Sequence, residues 1–119
     1  MTTSEIANQL VSLCRRGQYA QAVDSLYASH ATSTEPVGEP RVVEGIEGIR
    51  GKGEWFRNTF EVKGQKIEGP IVSGKYFTVR FVLDSVNKET GEPTPQDEIA
   101  VYKVEDGKIV SEQFFYHAG

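Results

Sequence analysis

Apolar positions recur at two different spacings along this chain, helical in its first half and alternating in its second. Ile6, Leu10, Leu13 and Cys14 follow a 3.6-residue period, which predicts a helix capped by Ser4 and ended by Gly17. Ala22, Val23, Leu26 and Tyr27 share one face of a second, shorter helix over about Tyr19 to Tyr27. The stretch HATSTEPVG favours extended backbone, and Pro36 biases Glu35 towards β geometry, so His30 to Glu35 reads as a short strand ending in a turn. Ile46, Ile49, Phe56 and Phe60 then lie at helical intervals and give a third helix, to about Phe60. Gly51 and Gly53 weaken it by about 1 kcal/mol each relative to alanine, so it depends on burial of its apolar face.

After Gly64 the period becomes two. A short strand is expected around Lys66 to Val72, followed by KYFTVRFVLDSV, in which Phe77, Val79, Phe81 and Leu83 form one apolar face. The polar link NKETGEPTPQ leads to DEIAVYKV, and EDGK reverses the chain into IVSEQFFYH, a meander of long antiparallel strands. Three helices with one early strand, then a run of strands, predict a single α+β domain over residues 1–119, its curved antiparallel sheet wrapped around the helices.

Composition narrows the function classes. The 17 Asp and Glu exceed the 13 Lys and Arg, no basic block is present, and binding to a phosphate backbone is not expected. Every apolar run is too short to span a membrane. Glu5, Asn8 and Gln9 interrupt the region where a secretion signal would be apolar, and the lone Cys14 suits a reducing compartment, so a cytoplasmic location is expected. Neither a metal site nor a cofactor is expected: no Cys/His cluster has ligand spacing, and GIEGIRGKG lacks the ending and context of a phosphate-binding loop.

The order helix, helix, ATSTEPVG, Gly-led aromatic helix and a sheet closing with DGKIVSEQFF resembles the nuclear transport factor two-like superfamily, whose members share a cystatin-like cone. Within it the chain is most similar to SnoaL-like domains. GKYFTVRF, DEIAVYKVEDGKI and EQFFY resemble one subgroup of these without an assigned reaction. The resemblance covers the whole chain and implies a pocket for a small, mostly apolar cyclic metabolite, with proton-transfer chemistry of isomerase, cyclase or dehydratase type. It implies equally a non-catalytic ligand-binding or dimerisation module, since the fold hosts both.

Ketosteroid isomerases carry ATVEDPVG where this chain has Ala31 to Gly38, so the resemblance places Glu35 on their catalytic base. Their two oxyanion donors correspond to Leu10 and about Ala100, which donate nothing. Loss of one such donor costs about two to three orders of magnitude in rate, which argues against steroid isomerisation by the same constellation. The cyclase pattern fails at the same level, with Glu112 at its histidine position and Phe114 at its catalytic aspartate.

Pocket-facing positions depend on the EDGK turn, because a one-residue slip exchanges the faces of a strand. A three-residue loop, with Val104 opposite Lys108, turns Glu98, Ala100, Tyr102, Val110, Glu112, Phe114 and Tyr116 inward. A two-residue Asp106-Gly107 loop instead sets Ser111, Gln113, Phe115 and His117 beside Tyr102. The three-residue loop reproduces the family's pocket. Candidate catalytic residues are therefore Glu35, Glu112 and Glu98, with His117 as a further titratable group, while His30 is read as structural. Trp55, Phe56, Phe60, Tyr102, Phe114 and Tyr116 are candidate substrate-binding rings. The outer sheet face, with Val101, Lys103, Ile109 and Phe115, is the expected homodimer contact.

Overall fold

The computed structural model describes residues 1–117. Helix α1 (Thr3–Arg15) is capped by Thr2, not by Ser4. The Thr2 hydroxyl accepts from the Glu5 amide at 3.1 Å while the Glu5 carboxylate accepts from the Thr2 amide at 2.9 Å, a reciprocal arrangement that leaves Ser4 inside the first turn. Gly17, at φ +73°, closes the helix by donating to Cys14 O, with Gln18 donating to Leu13 O. Helix α2 (Tyr19–Leu26) passes directly into strand β1 (Tyr27–Thr34), which starts three residues earlier than the sequence suggests. A short strand β2 (Val42–Glu44) precedes helix α3 (Ile46–Thr59). Gly48 permits their close approach, since a Cβ there would stand 2.3 Å from a Val43 methyl.

Four strands complete the chain: β3 (Phe60–Ser73), β4 (Tyr76–Asn87), β5 (Gln96–Glu105) and β6 (Lys108–Phe115). The sheet order is β2-β1-β6-β5-β4-β3. One pairing differs from the expected meander: β1 runs parallel to β6, and all other neighbours are antiparallel. The sheet curves without closing, and the helices fill its concave side. Strand β3 is twice the expected length because Phe60 to Gln65 also pair with β4, past a bulge near Lys63.

Alternation along β4 buries Phe77, Val79, Phe81 and Leu83 as predicted. Phe77 stacks on Tyr102 with ring centroids 4.7 Å apart, and α1 adds Ile6 and Leu10 over them. Each such side chain contributes about 1.5–3 kcal/mol by leaving water. The β5–β6 turn is the two-residue form, with Asp106 and Gly107 both at positive φ and Glu105 opposite Lys108. The register nevertheless recovers one turn later, because Lys103 pairs with Ser111 and Val104 with Ile109, leaving Val110 as the extra residue of a bulge. Ala100 therefore faces Phe114 and Tyr102 faces Glu112, the inward set expected from the longer loop. Two positions are corrected: Ile109 is fully buried and cannot belong to an outer contact face, and Val110 sits at the bulge outside the alternating inward row.

Candidate functional site

Glu35 follows the last residue of β1, Lys52 lies in the middle of α3, Glu98 is near the start of β5, Glu112 and Phe114 lie in the second half of β6, and Tyr116 directly follows it. The topology brings these to one end of the sheet, where a continuous hydrogen-bonded network forms. Glu112 is buried, and its two oxygens accept from the Tyr27 hydroxyl and, at 2.7 Å, from Ser33 Oγ. Ser33 Oγ in turn accepts from Lys52 Nζ at 2.7 Å. Lys52 Nζ also donates to Glu35 Oε2 at 2.6 Å, and the Tyr116 hydroxyl donates to Glu35 Oε1 at 2.9 Å. Among the described residues no buried side-chain polar atom lacks a partner.

Electrostatics divides the three carboxyl groups. Burial raises Glu112 above the usual carboxylate range, while the Tyr27 and Ser33 hydroxyls and Lys52 pull it back. Burial raises Glu98 to about 7, with Glu35 and Glu112 adding repulsion and Lys52 opposing it. The Glu98 side chain makes no hydrogen bond among the described residues and stays partly accessible, so it is the group best able to exchange a proton with a visiting molecule. The Tyr116 hydroxyl is held up to about 12 by desolvation and by its bond to Glu35, which keeps it a donor. Burial likewise keeps Tyr27 and Tyr102 protonated.

The aromatic candidates separate by position. Phe114 and Tyr116 are half-buried at the network, with Lys52 Nζ 5.2 Å from the centroid of the Phe114 ring. Tyr102 lies deep in the core, beneath the network rather than at its surface. Phe56 and Phe60 meet at a tilt of 42° with ring centroids 5.0 Å apart, Phe56 against the core, whereas Trp55 is 61% exposed and leans edge-on against Phe60. His117 and His30 are exposed, and neither joins the network. Leu10 and Ala100 are buried apolar residues with nothing to donate from their side chains.

A cleft of about 270 Å³ opens between α2 and α3 over Tyr19, Val23 and Ile49. The Tyr19 ring, which lines the cleft, lies 6.4 Å from that of Phe81, the register partner of Glu98. The sequence reading missed Lys52, Ser33 and Tyr27. Lys52 was legible in principle, three residues after Ile49 and four before Phe56, on the inward stripe of the helix.

The sequence pattern of the SnoaL-like domain matches residues 1–116. A protein from Mesorhizobium loti, provisionally named a SnoaL-like polyketide cyclase, is 38% identical, with 98% of this chain and 100% of that one covered and a TM-score of 0.92. The fold recurs in a Bacillus subtilis protein provisionally named an isomerase, at 20% identity, 98% and 90% coverage and a TM-score of 0.77. It recurs also in a Xanthomonas campestris protein with a cystatin-like fold, at 19% identity, 97% and 90% coverage and a TM-score of 0.75. No protein of curated function matches the chain. Among the described residues no helix is long and apolar enough to cross a membrane.

Proposed function

Because the chain belongs to the SnoaL-like domain family, we propose that it binds a small, mostly apolar cyclic metabolite beside Glu98 and the Lys52 network and moves a proton on it. The observation that carries this reading is the gathering of three carboxyl groups, one ammonium and the Phe114 and Tyr116 rings at one end of the sheet. A carboxyl with a pKa near 7 can both take a proton and give it back at neutral pH. Glu98 is therefore the proton carrier. Glu35, both of whose oxygens are engaged, holds Lys52 and Tyr116 in place, and Glu112 anchors Ser33 from below.

Native mass spectrometry of freshly purified protein tests for a retained ligand, and solvent-deuterium incorporation next to the ligand's carbonyl tests the chemistry. Glu98→Gln is expected to keep the ligand and lose the incorporation. Undiminished incorporation in that variant would refute the assignment. The alternative, a binding or dimerisation module without chemistry, is favoured by the filling of the deep interior with Leu10, Phe77 and Tyr102, and it wins if ligand-bound wild type incorporates no deuterium. We also propose a homodimer through the outer sheet face, where Ile99 and Phe115, cross-strand partners, are each 47% exposed beside Val101. Sedimentation at micromolar concentration should give twice the chain mass, falling to one chain in Phe115→Asp.

A further inference from the structure

Lys52 places a cation on the stripe of α3 that turns towards the sheet. Its ammonium carries three protons. Two are committed, to Ser33 Oγ at 2.7 Å and to Glu35 Oε2 at 2.6 Å, and the third has no acceptor among the described residues. The side chain keeps 28% of its surface in contact with solvent, with the Phe114 ring alongside. Two hydrogen bonds thus fix the nitrogen while one donor remains for a molecule arriving from outside.

We infer that Lys52 holds the oxygen of the bound molecule, and that this molecule is an uncharged carbonyl compound. The inference rests on the proton-transfer reading above. Charge selects the ligand class: Glu35 already pairs with the ammonium, and burial resists a further charge at Glu98 and Glu112, so the site offers no uncommitted positive charge to balance a ligand carboxylate, whereas a ketone acquires charge only as it reacts. Lys52 supplies the donor that Leu10 and Ala100 do not. In the step, the Glu98 carboxylate removes a proton from the carbon beside the carbonyl, and the C–H electron pair becomes a C=C bond. The carbonyl π pair moves onto oxygen, and the resulting enolate accepts a hydrogen bond from Lys52. Protonated Glu98 then either trades its proton with solvent and returns a solvent-derived one to the same carbon, which gives exchange, or delivers its proton to the far end of a conjugated enolate, which shifts a double bond. Atoms and electrons balance with no reactant besides solvent water.

The probe is 2-tetralone, a bicyclic apolar ketone, followed by NMR in deuterium oxide. Wild-type protein should exchange its α-hydrogens faster than buffer alone. Lys52→Met, which keeps the stem and removes the charge, should lower kcat by about 100- to 1000-fold, the usual effect of losing an oxyanion donor. KM should stay within about threefold, because the interaction belongs to the transition state. Lys52→Arg should recover part of the rate, and tetrahydro-2-naphthoate should not compete. A folded Lys52→Met with kcat within about fivefold of wild type overturns the role of Lys52 while leaving proton transfer at Glu98 intact. Absence of wild-type exchange overturns both, and effective competition by the naphthoate overturns the charge selection. Should Lys52→Met fail to fold, bound 2-naphthol decides: ionisation at lower pH than in free solution, in wild type and Lys52→Arg, supports the inference, and unshifted ionisation overturns it.

Discussion

Glu98→Gln should make the protein more stable at pH 8 and leave its stability nearly unchanged at pH 4. The unfolded chain releases this proton near 4.5, whereas the folded protein keeps it until about 7, chiefly because the carboxyl is buried and secondarily because Glu35 and Glu112 face it. Across that window the folded state binds more protons than the unfolded one, so the Glu98 contribution to stability is lost as pH rises. At about 1.36 kcal/mol per pKa unit, the ionised carboxyl costs ~3 kcal/mol above pH 7. That is a large share of the roughly 5–15 kcal/mol by which a domain is stable, and in a chain of 119 residues it corresponds to ~10 °C in Tm. Glutamine keeps the size and carries no titrating proton. Urea unfolding of both proteins at pH 4, 6 and 8, at one fixed protomer concentration, gives the difference directly. Glu35 and Glu112 are present in both proteins, so the difference reports position 98 together with its repulsion by these two groups. A stability difference that is constant across the three pH values, or that grows as pH falls, would show that Glu98 is not held protonated by the fold.

Three further substitutions probe the supports of the site and the helix that carries Lys52. Tyr27→Phe removes one of the two hydroxyls that donate to buried Glu112 and should cost ~1–3 kcal/mol, with the larger loss at pH 8 than at pH 5 because the carboxyl rises further; equilibrium unfolding at both values checks it. On α3, Gly51→Ala should stabilise by about 1 kcal/mol, since its Cβ meets nothing within 4 Å. Gly48→Ala should not show that gain, since its Cβ would meet the Val43 methyl at 2.3 Å, and paired Tm measurements separate the two.

Local patterns carried much of the architecture. The strict alternation of β4 named its four core residues, and helical spacing placed α1 and α3, because both signals live within one element. The cap on α1 was also written locally, since Thr2 and Glu5 have the spacing of a capping box, and Ser4 competes only as an isolated residue type. The first half of β3 was illegible for a physical reason: it is an edge strand, mostly exposed, and Glu61, Lys63 and Gly64 show no alternation to read. The parallel β1–β6 contact has no local signature at all. The inward row of β6 was predicted from a turn the chain does not use, and the Val110 bulge restored it, because burying Ile109 and Glu112 on the same side requires one extra residue between them. Of the site, Glu35, Glu98, Glu112, Phe114 and Tyr116 were named from sequence, whereas Lys52 was hidden among glycines that drew attention to phosphate loops instead.

The parallel docking of β1 on β6 also sets the moment at which the site can exist during synthesis. Ser33 and Glu112 meet across 79 residues, and Tyr27 and Glu112 across 85. A growing chain can form α1, α2 and the β3–β4 hairpin early, since their partners are close in sequence. Its central strand position beside β1 stays vacant until β6 emerges from the ribosome, and such long-range pairing is slow because the intervening loop must first be ordered. Until then Ser33 and Tyr27 lie along an unpaired strand edge with no Glu112 carboxyl to accept their hydrogen bonds. Assembly of the carboxyl-rich end is consequently a report that the sheet is finished, and nascent chains lacking β6 should hold the helices yet lack the Glu112 contacts to Tyr27 and Ser33.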